Sequence, residues 1–384
     1  MMITMRLPII FSSLRLYVFV TAFFSLSVLA LALLFPHTPE AQTWDSDKWA
    51  NMRTINPRGY VSYYTDVPVE IDGRLDDISW RIVPFTDYFI DIEGDVKPRP
   101  RLRTQVKMLW DDTYFYVGAD IEERHVWGTL TEHDAVIFQD NDFEIFIDPN
   151  SDNHEYYEIE INALNTEWDL FLMRPYKDKS PADNAWEIPG LKTAVHVEGT
   201  LNDPSDIDRG WSIEFALPWA VLKEYAHKPA PPRDGDQWRV NFSRVEWLHE
   251  VVDGKYRKVA GYREDNWVWS PQGVINMHCP EKWGYVQFST GTPGTVAFRP
   301  DPTEPARVIL HGIYWSQRDF IRLNGRYASK PEELGIHFGT HESIIKPPAI
   351  ELTGEGFRAS ATVRIPGGSP KVVSIHQDSK VIVE

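Results

Sequence analysis

From about Val61 to Ser289 the apolar positions fall in short runs broken by turn residues. Tyr156–Asn162 alternates Tyr157, Ile159 and Ile161 with Tyr156, Glu158 and Glu160. A period of two predicts a strand with one buried face and one acidic face. Gln105–Trp110 and Tyr114–Ile121 flank Asp111-Asp112, which predicts a hairpin with an acidic turn. Phe143–Ile147 reads Phe-Glu-Ile-Phe-Ile and runs into Asp148-Pro149-Asn150, a turn sequence. Trp168–Met173, Ala194–Val197, Trp211–Leu217, Trp238–Arg244 and Trp283–Phe288 predict further strands, and Pro218–Leu222 a single helical turn. No sustained helical period separates these runs, so the pattern predicts an all-β, antiparallel β-sandwich over residues 60–290. Phe143–Ile147 and Tyr156–Asn162 are expected as its central, adjacent strands. Trp80, Trp110, Trp211 and Trp283 sit at strand positions and are expected in the core.

After Ser289 the pattern changes. Residues 291–305 are rich in Gly, Pro and Thr and read as a linker. Val308, Ile309, Ile313, Phe320 and Leu323 then predict an amphipathic helix from Glu304 to Asn324, stopped by Gly325. Strand patterns return at Phe357–Ile365 and Lys371–Ile375, so residues 306–384 form a small C-terminal α+β appendage. At the other end, Arg6 and Arg15 precede an uncharged apolar stretch, Leu16 to Phe35. Its length of roughly 20 residues suits either an export signal or a membrane anchor within residues 1–41. Either reading places the remainder outside the cytoplasm, as a secreted, periplasmic or cell-surface protein.

Composition narrows the function. Acidic residues outnumber basic ones 56 to 39, for a net charge of −17. A surface of that sign repels phosphate backbones and excludes nucleic acid as the expected partner. The single cysteine, Cys279, cannot form an intrachain disulfide, and its neighbour His278 points to the opposite face of an extended chain, which argues against a Cys-His nucleophile. Fifteen Trp, sixteen Tyr and nineteen Phe are an unusually high aromatic count, and most of the tryptophans are expected to fill the core. Rings in loops stack on the C–H faces of sugars, and carboxylates and amides pair with their hydroxyl rims. Glu158 and Glu160, two residues apart on one strand face, are about 6.5–7 Å apart by strand geometry, a separation compatible with glycoside hydrolysis. The oxygen-rich turn containing Asp148, Asn150 and Asp152 is a candidate calcium site, and the Asp72, Asp76, Asp77 cluster a second. Asn241-Phe242-Ser243 fits a glycosylation sequon but falls in an expected buried strand.

Five segments, in order, resemble family-9 carbohydrate-binding modules: Val69-Glu70-Ile71-Asp72-Gly73-Arg74-Leu75-Asp76-Asp77-Ile78-Ser79-Trp80, Asp140–Pro149, Tyr157–Asn162, Gly210–Glu214, and Trp269-Ser270 through Pro280–Gly284. The resemblance covers roughly residues 60–290. It implies an immunoglobulin-like sandwich that binds sugar chain ends, carries structural calcium and accompanies glycoside hydrolases. Two tryptophans hold the sugar in such modules. Here their places fall at or near Phe138 and near Met277-His278. The family's acidic contact matches Glu144, while a basic position falls near Glu160, a change of sign. Trp127, Trp186, Trp247 and Trp267 are further stacking candidates. The expected function is carbohydrate binding linked to carbohydrate catabolism, without catalysis by this chain. Two alternatives stay open: a glycoside hydrolase acting on O-glycosyl bonds, and a haem-binding electron-transfer sandwich using Met277 or His278 with partners such as Met108 or Met173.

Overall fold

The computed structural model describes residues 45–335 and 341–384. The Leu16–Phe35 segment lies outside the described residues. Among the described residues, no helix is long and apolar enough to cross a membrane.

The body is a sheet of thirteen strands: β1 (Gly59–Tyr64), β2 (Ile90–Asp91), β3 (Thr104–Trp110), β4 (Tyr114–Glu122), β5 (Asp142–Asp148), β6 (Tyr156–Asn162), β7 (Glu167–Leu172), β8 (Ala182–Asp183), β9 (Lys192–Glu198), β10 (Gly210–Pro218), β11 (Gln237–Glu246), and, after the β12 (His249–Val252) and β13 (Lys255–Lys258) hairpin, β14 (Asp265–Val268) and β15 (Gly284–Ser289). The order along the sheet is β8-β7-β6-β5-β11-β15-β1-β3-β4-β10-β9, with β14 on β11 and β2 on β14. The sheet curls until its two arms face one another. Phe143 of β5 meets Phe215 of β10 at 5.9 Å between ring centres, and both belong to one core with Ile145, Ile159, Val117 and Ile121. The expected hairpin is β3–β4, and the expected central pair is β5–β6, antiparallel.

Two expectations change. The sheet is mixed, because β1 runs parallel to both β15 and β3. Parallel neighbours need long connections, and here almost the whole domain separates β1 from β15. The second change concerns β6. Its apolar face lies in the core as expected, but every residue of the strand is buried, Glu158 and Glu160 included. The acidic face is roofed by loops and does not meet bulk water.

Trp80, Trp110, Trp211 and Trp283 are all buried, as the pattern predicted. Asn241 is fully buried, which removes it as a glycosylation acceptor. The long helix spans Glu304–Asn324 and ends at Gly325, whose φ of 68° is the left-handed cap that glycine adopts without steric cost. It lies against a four-stranded antiparallel sheet of β16 (Ile344–Leu352), β17 (Phe357–Val363), β18 (Lys371–His376) and β19 (Val381–Val383). Appendage and sandwich pack as one compact unit, joined by buried ion pairs such as Arg239–Glu304 at 2.7 Å.

Candidate functional site

Strand alternation sends Phe143, Ile145, Tyr157, Ile159 and Phe171 into the core. It therefore sends Glu144, Phe146, Glu158, Glu160, Trp168 and Leu170 to the outer face. Register then aligns them: Glu144 of β5 lies opposite Glu160 of β6, which lies opposite Trp168 of β7. Phe146, Glu158 and Leu170 form the next row. These two rows floor a cavity of about 270 Å³. Its walls come from Phe138, from Tyr176 after β7, and from the segments carrying Glu264, Asn266, Asn276, Met277 and His278.

The cavity thus collects Phe138, Glu144, Glu160, Met277 and His278, which are far apart in the chain. It lies on the outer face of the sheet rather than at the end of the sandwich. Trp127 and Trp267 do not belong to it. Trp127 is buried and stacks on Tyr256. Trp267 is buried on β14 between Arg101 and Arg244, whose guanidinium carbons lie 4.9 and 5.2 Å from its ring centre. Trp186 stacks on Tyr157 against the core. Trp247 donates its indole N–H to the Phe138 carbonyl at 2.9 Å and so braces the loop that carries Phe138. Besides the buried Phe146 of the floor, the rings that face the cavity are Phe138 and Trp168, both half-buried and 6.4 Å apart, and Tyr176, which is 45% exposed at the rim. Trp168 and Tyr176 escaped the sequence reading. Trp168 looked like one more strand tryptophan, and only the pairing of β7 with β6 puts it beside Glu160.

The electrostatics are one-sided. Asp142, Glu144, Glu158 and Glu160 are all buried on this face, and acid oxygens of Asp142, Glu144 and Glu160 lie within 4.8 Å of one another. Among the described residues lining the cavity, none is Lys or Arg. Lys258 is held over the Trp247 ring at 3.6 Å, outside the lining. His278 does not compensate: burial, with Lys177 nearby, pulls it down to about 3, so it is neutral, and its Nδ1 shares a hydrogen bond with the Tyr156 hydroxyl at 2.9 Å. Burial pushes Glu144 up to about 7. Burial and then the Glu144 charge push Asp142, Glu158 and Glu160 well above the usual carboxylate range. Glu160 accepts from the Phe138 N–H at 2.9 Å and Asp142 from the Val245 N–H at 3.1 Å. One buried oxygen of Asp142 and one of Glu158 have no hydrogen-bond partner. Like charges opposite one another on a sheet are destabilising, and buried unsatisfied oxygens cost more. Near neutral pH such acids are partly protonated, so they can both donate to and accept from hydroxyl groups.

The calcium expectation at the acidic turn does not fit the donor geometry. The two Asp148 oxygens take the Ser151 and Asn153 N–H groups, both at 2.8 Å. Asp152 takes the His154 N–H at 2.8 Å and the Asn150 amide at 3.0 Å, with the Lys380 ammonium 3.5 Å away. These oxygens close a turn, and an ammonium already stands among them. In the Asp72 cluster, Asp72 caps the Arg74 N–H and Asp77 the Glu70 N–H. Glu158 and Glu160, the pair considered for glycoside hydrolysis, are both buried on the outer face of β6, and burial with the Glu144 charge pushes both well above the usual carboxylate range. Met277 faces Gln272 through its sulfur at 3.7 Å, Met108 is buried in the sandwich core and Met173 is half-exposed, so these three methionines stand apart from one another. Cys279 is fully buried and its thiol is pushed up by burial, consistent with a structural role.

Comparison with known proteins bears on the same region. The chain is 24% identical over 152 residues to the exoglucanase XynX of Acetivibrio thermocellus, and 24% identical over 154 residues to the endo-1,4-beta-xylanase A of Thermoanaerobacterium saccharolyticum. Each match covers 40% of this chain but only 12% and 11% of those proteins, so the chain corresponds to a small part of either enzyme. Among solved structures, a family-9 carbohydrate-binding module of Caldicellulosiruptor kristjanssonii in complex with cellotriose is 17% identical, with 64% of this chain and 100% of that chain covered and a TM-score of 0.40. Residues 71–233 match the family described as carbohydrate family 9 binding domain-like. That stretch contains Phe138, Glu144, Glu158, Glu160, Trp168 and Tyr176, whereas Met277 and His278 lie beyond it. The similarity to family-9 carbohydrate-binding modules expected from the sequence segments is thus found over residues 71–233, which take in the segments up to Gly210–Glu214 and leave Trp269–Gly284 outside.

Proposed function

We propose that this is an exported protein that binds oligo- or polysaccharide in the cavity over β5, β6 and β7, in the service of carbohydrate breakdown. The observation that carries the reading is the joining, in one open cavity, of Phe138, Trp168 and Tyr176 with Glu144, Glu158, Glu160, Asn266 and Asn276. Rings of this kind cover the apolar face of a pyranose, and the acids and amides address its hydroxyl rim. The uncharged apolar segment before residue 41 supports export. The family match over residues 71–233 and the glucanase and xylanase relatives support a carbohydrate ligand.

The test is calorimetric titration of the full chain with cello-, xylo- and chitosan oligosaccharides, repeated with Glu144→Gln. Loss of a buried carboxylate contact is expected to weaken binding about tenfold or more. The same change removes a buried acid that has no base beside it, so the unliganded variant should be at least as stable as the parent. Unchanged affinity in a folded Glu144→Gln protein, or no binding of any of the three sugar classes, would overturn the assignment.

A further inference from the structure

A second polar cluster lies on the other side of β7. Strand alternation that turns Trp168 to the cavity turns Asp169 the opposite way, into the end of the sandwich. There it meets His133 and Asp134 from the β4–β5 connection and Glu187 from the segment after β8. His133 Nε2 is 3.2 and 3.3 Å from the two Glu187 oxygens and 3.5 Å from Asp134 Oδ1. One ligand atom from each of His133, Asp134, Asp169 and Glu187 lies within 4.8 Å of the others. Asp169 is fully buried, yet neither carboxylate oxygen accepts a hydrogen bond. The Ile188 N–H favours its charged form slightly without closing one. A buried carboxylate left in that state costs stability, and the exposed His133 shows which way its missing partner would enter.

We infer that His133, Asp134, Asp169 and Glu187 form a binding site for a divalent transition metal, zinc in the first instance. Ligands of a single ion at 2.0–2.4 Å stand no more than roughly 4–5 Å apart, which these four satisfy. One imidazole among three carboxylates favours zinc or a similar N- and O-binding ion over calcium or magnesium, which take oxygen alone. The cation would supply the charge that Asp169 lacks. It would also tie the connection carrying Phe138 to the strand carrying Trp168, two of the rings that line the cavity. The site is independent of the sugar-binding reading, since none of its four residues lines the cavity.

The experiment follows melting of the full chain, stripped of metal by chelation and dialysis, as zinc, calcium or magnesium is added. Zinc at a hundredfold excess over its Kd should raise Tm by roughly 3–8 °C, with calcium and magnesium giving much less. Cobalt(II) should give a visible absorption band that zinc displaces. His133→Ala, at an exposed position, should abolish both effects while the fold is kept. Asp169→Asn should raise the metal-free Tm, because an unpaired buried charge is removed, and should also abolish the zinc shift. A zinc shift that persists in both variants would place the metal elsewhere and overturn the assignment. So would equal stabilisation by calcium in parent and His133→Ala, or no zinc response at all.

Discussion

Two regions of this molecule bury charge, and they do it in opposite ways. Where the long helix meets the sandwich, charged groups stand in ion pairs, and the buried Lys282 donates to the Ile55 carbonyl. Lys177 lies 3.3 Å from Glu281 and 3.7 Å from Asp178, Arg239 lies 2.7 Å from Glu304, and Arg318 lies 3.1 Å from Asp45. Charge attraction there outweighs burial, so Glu281 and Glu304 are held below the usual carboxylate range and stay ionised. In the cavity, Asp142, Glu144, Glu158 and Glu160 share a face with no lining base, and all four are pushed up. A fold selected for stability alone has no reason to crowd four acids in one place. The paired region holds the protein together, and the unpaired region is left for a ligand.

The sharpest way to break this contrast is to unpair the interface. Lys177→Met leaves Glu281 buried without its cation, while Asp178 keeps Arg318 at 3.6 Å, and should cost about 3–5 kcal/mol in denaturant unfolding. A cost below about 1 kcal/mol would mean that the interface pairs contribute no more than exposed ones.

Next in size is the pH dependence of the unliganded protein. A carboxyl whose folded pKa is raised stabilises the fold below its unfolded pKa, near 4, and that stability is lost as pH rises through the folded value. Glu144, Asp148 and Glu214 reach about 7 and Glu246 about 8, while Glu281, Glu304 and Asp301 are shifted the other way and are constant above pH 5. The buried imidazoles of His278 and His311, held down to about 3 and about 4, work the other way up to their unfolded pKa near 6.5, so the protein should lose on the order of 2 kcal/mol or more between pH 6.5 and pH 8. A melting temperature that is flat or rising over that window would contradict the burial of uncompensated acids.

Substitutions in the cavity should reverse the usual link between stability and function. Trp168→Ala and Phe138→Ala each remove a stacking ring, and should weaken sugar binding by about 1–3 kcal/mol in titration calorimetry. Trp127→Phe, made in the core stack with Tyr256, should leave affinity within about twofold. The smallest effect is expected from Glu158→Gln on the unliganded fold. Its unpartnered oxygen gives up a buried acid, so chemical unfolding should show a change near zero or a gain of up to about 1 kcal/mol. A clear loss would show that Glu158 is part of the structural framework.

The alternation of apolar and polar residues was enough to define β3–β7, β9–β11, β15, β17 and β18, the β3–β4 hairpin, the β5–β6 pair and the long helix with its glycine stop, while β1, β14 and the shorter strands went unread. These are local properties: side-chain period and turn chemistry act within a few residues. The resemblance of short segments added Phe138, Glu144, Glu160, Met277 and His278, all of which line one cavity. What the alternation could not say is what covers each face. It assigned Glu158 and Glu160 to an exposed side, and only the loops bearing Tyr176, Glu264 and Met277, more than a hundred residues away in part, bury them. Likewise Trp127 and Trp267 read as loop rings, and tertiary packing closes both. Trp168 joins Glu160, and Asp169 joins His133 and Glu187, through strand register and chain crossings that no local pattern encodes. The sequence by itself determined which residues share a face of a strand. The tertiary structure alone decided which faces meet, because cross-strand and loop-to-sheet neighbours are set by non-local burial.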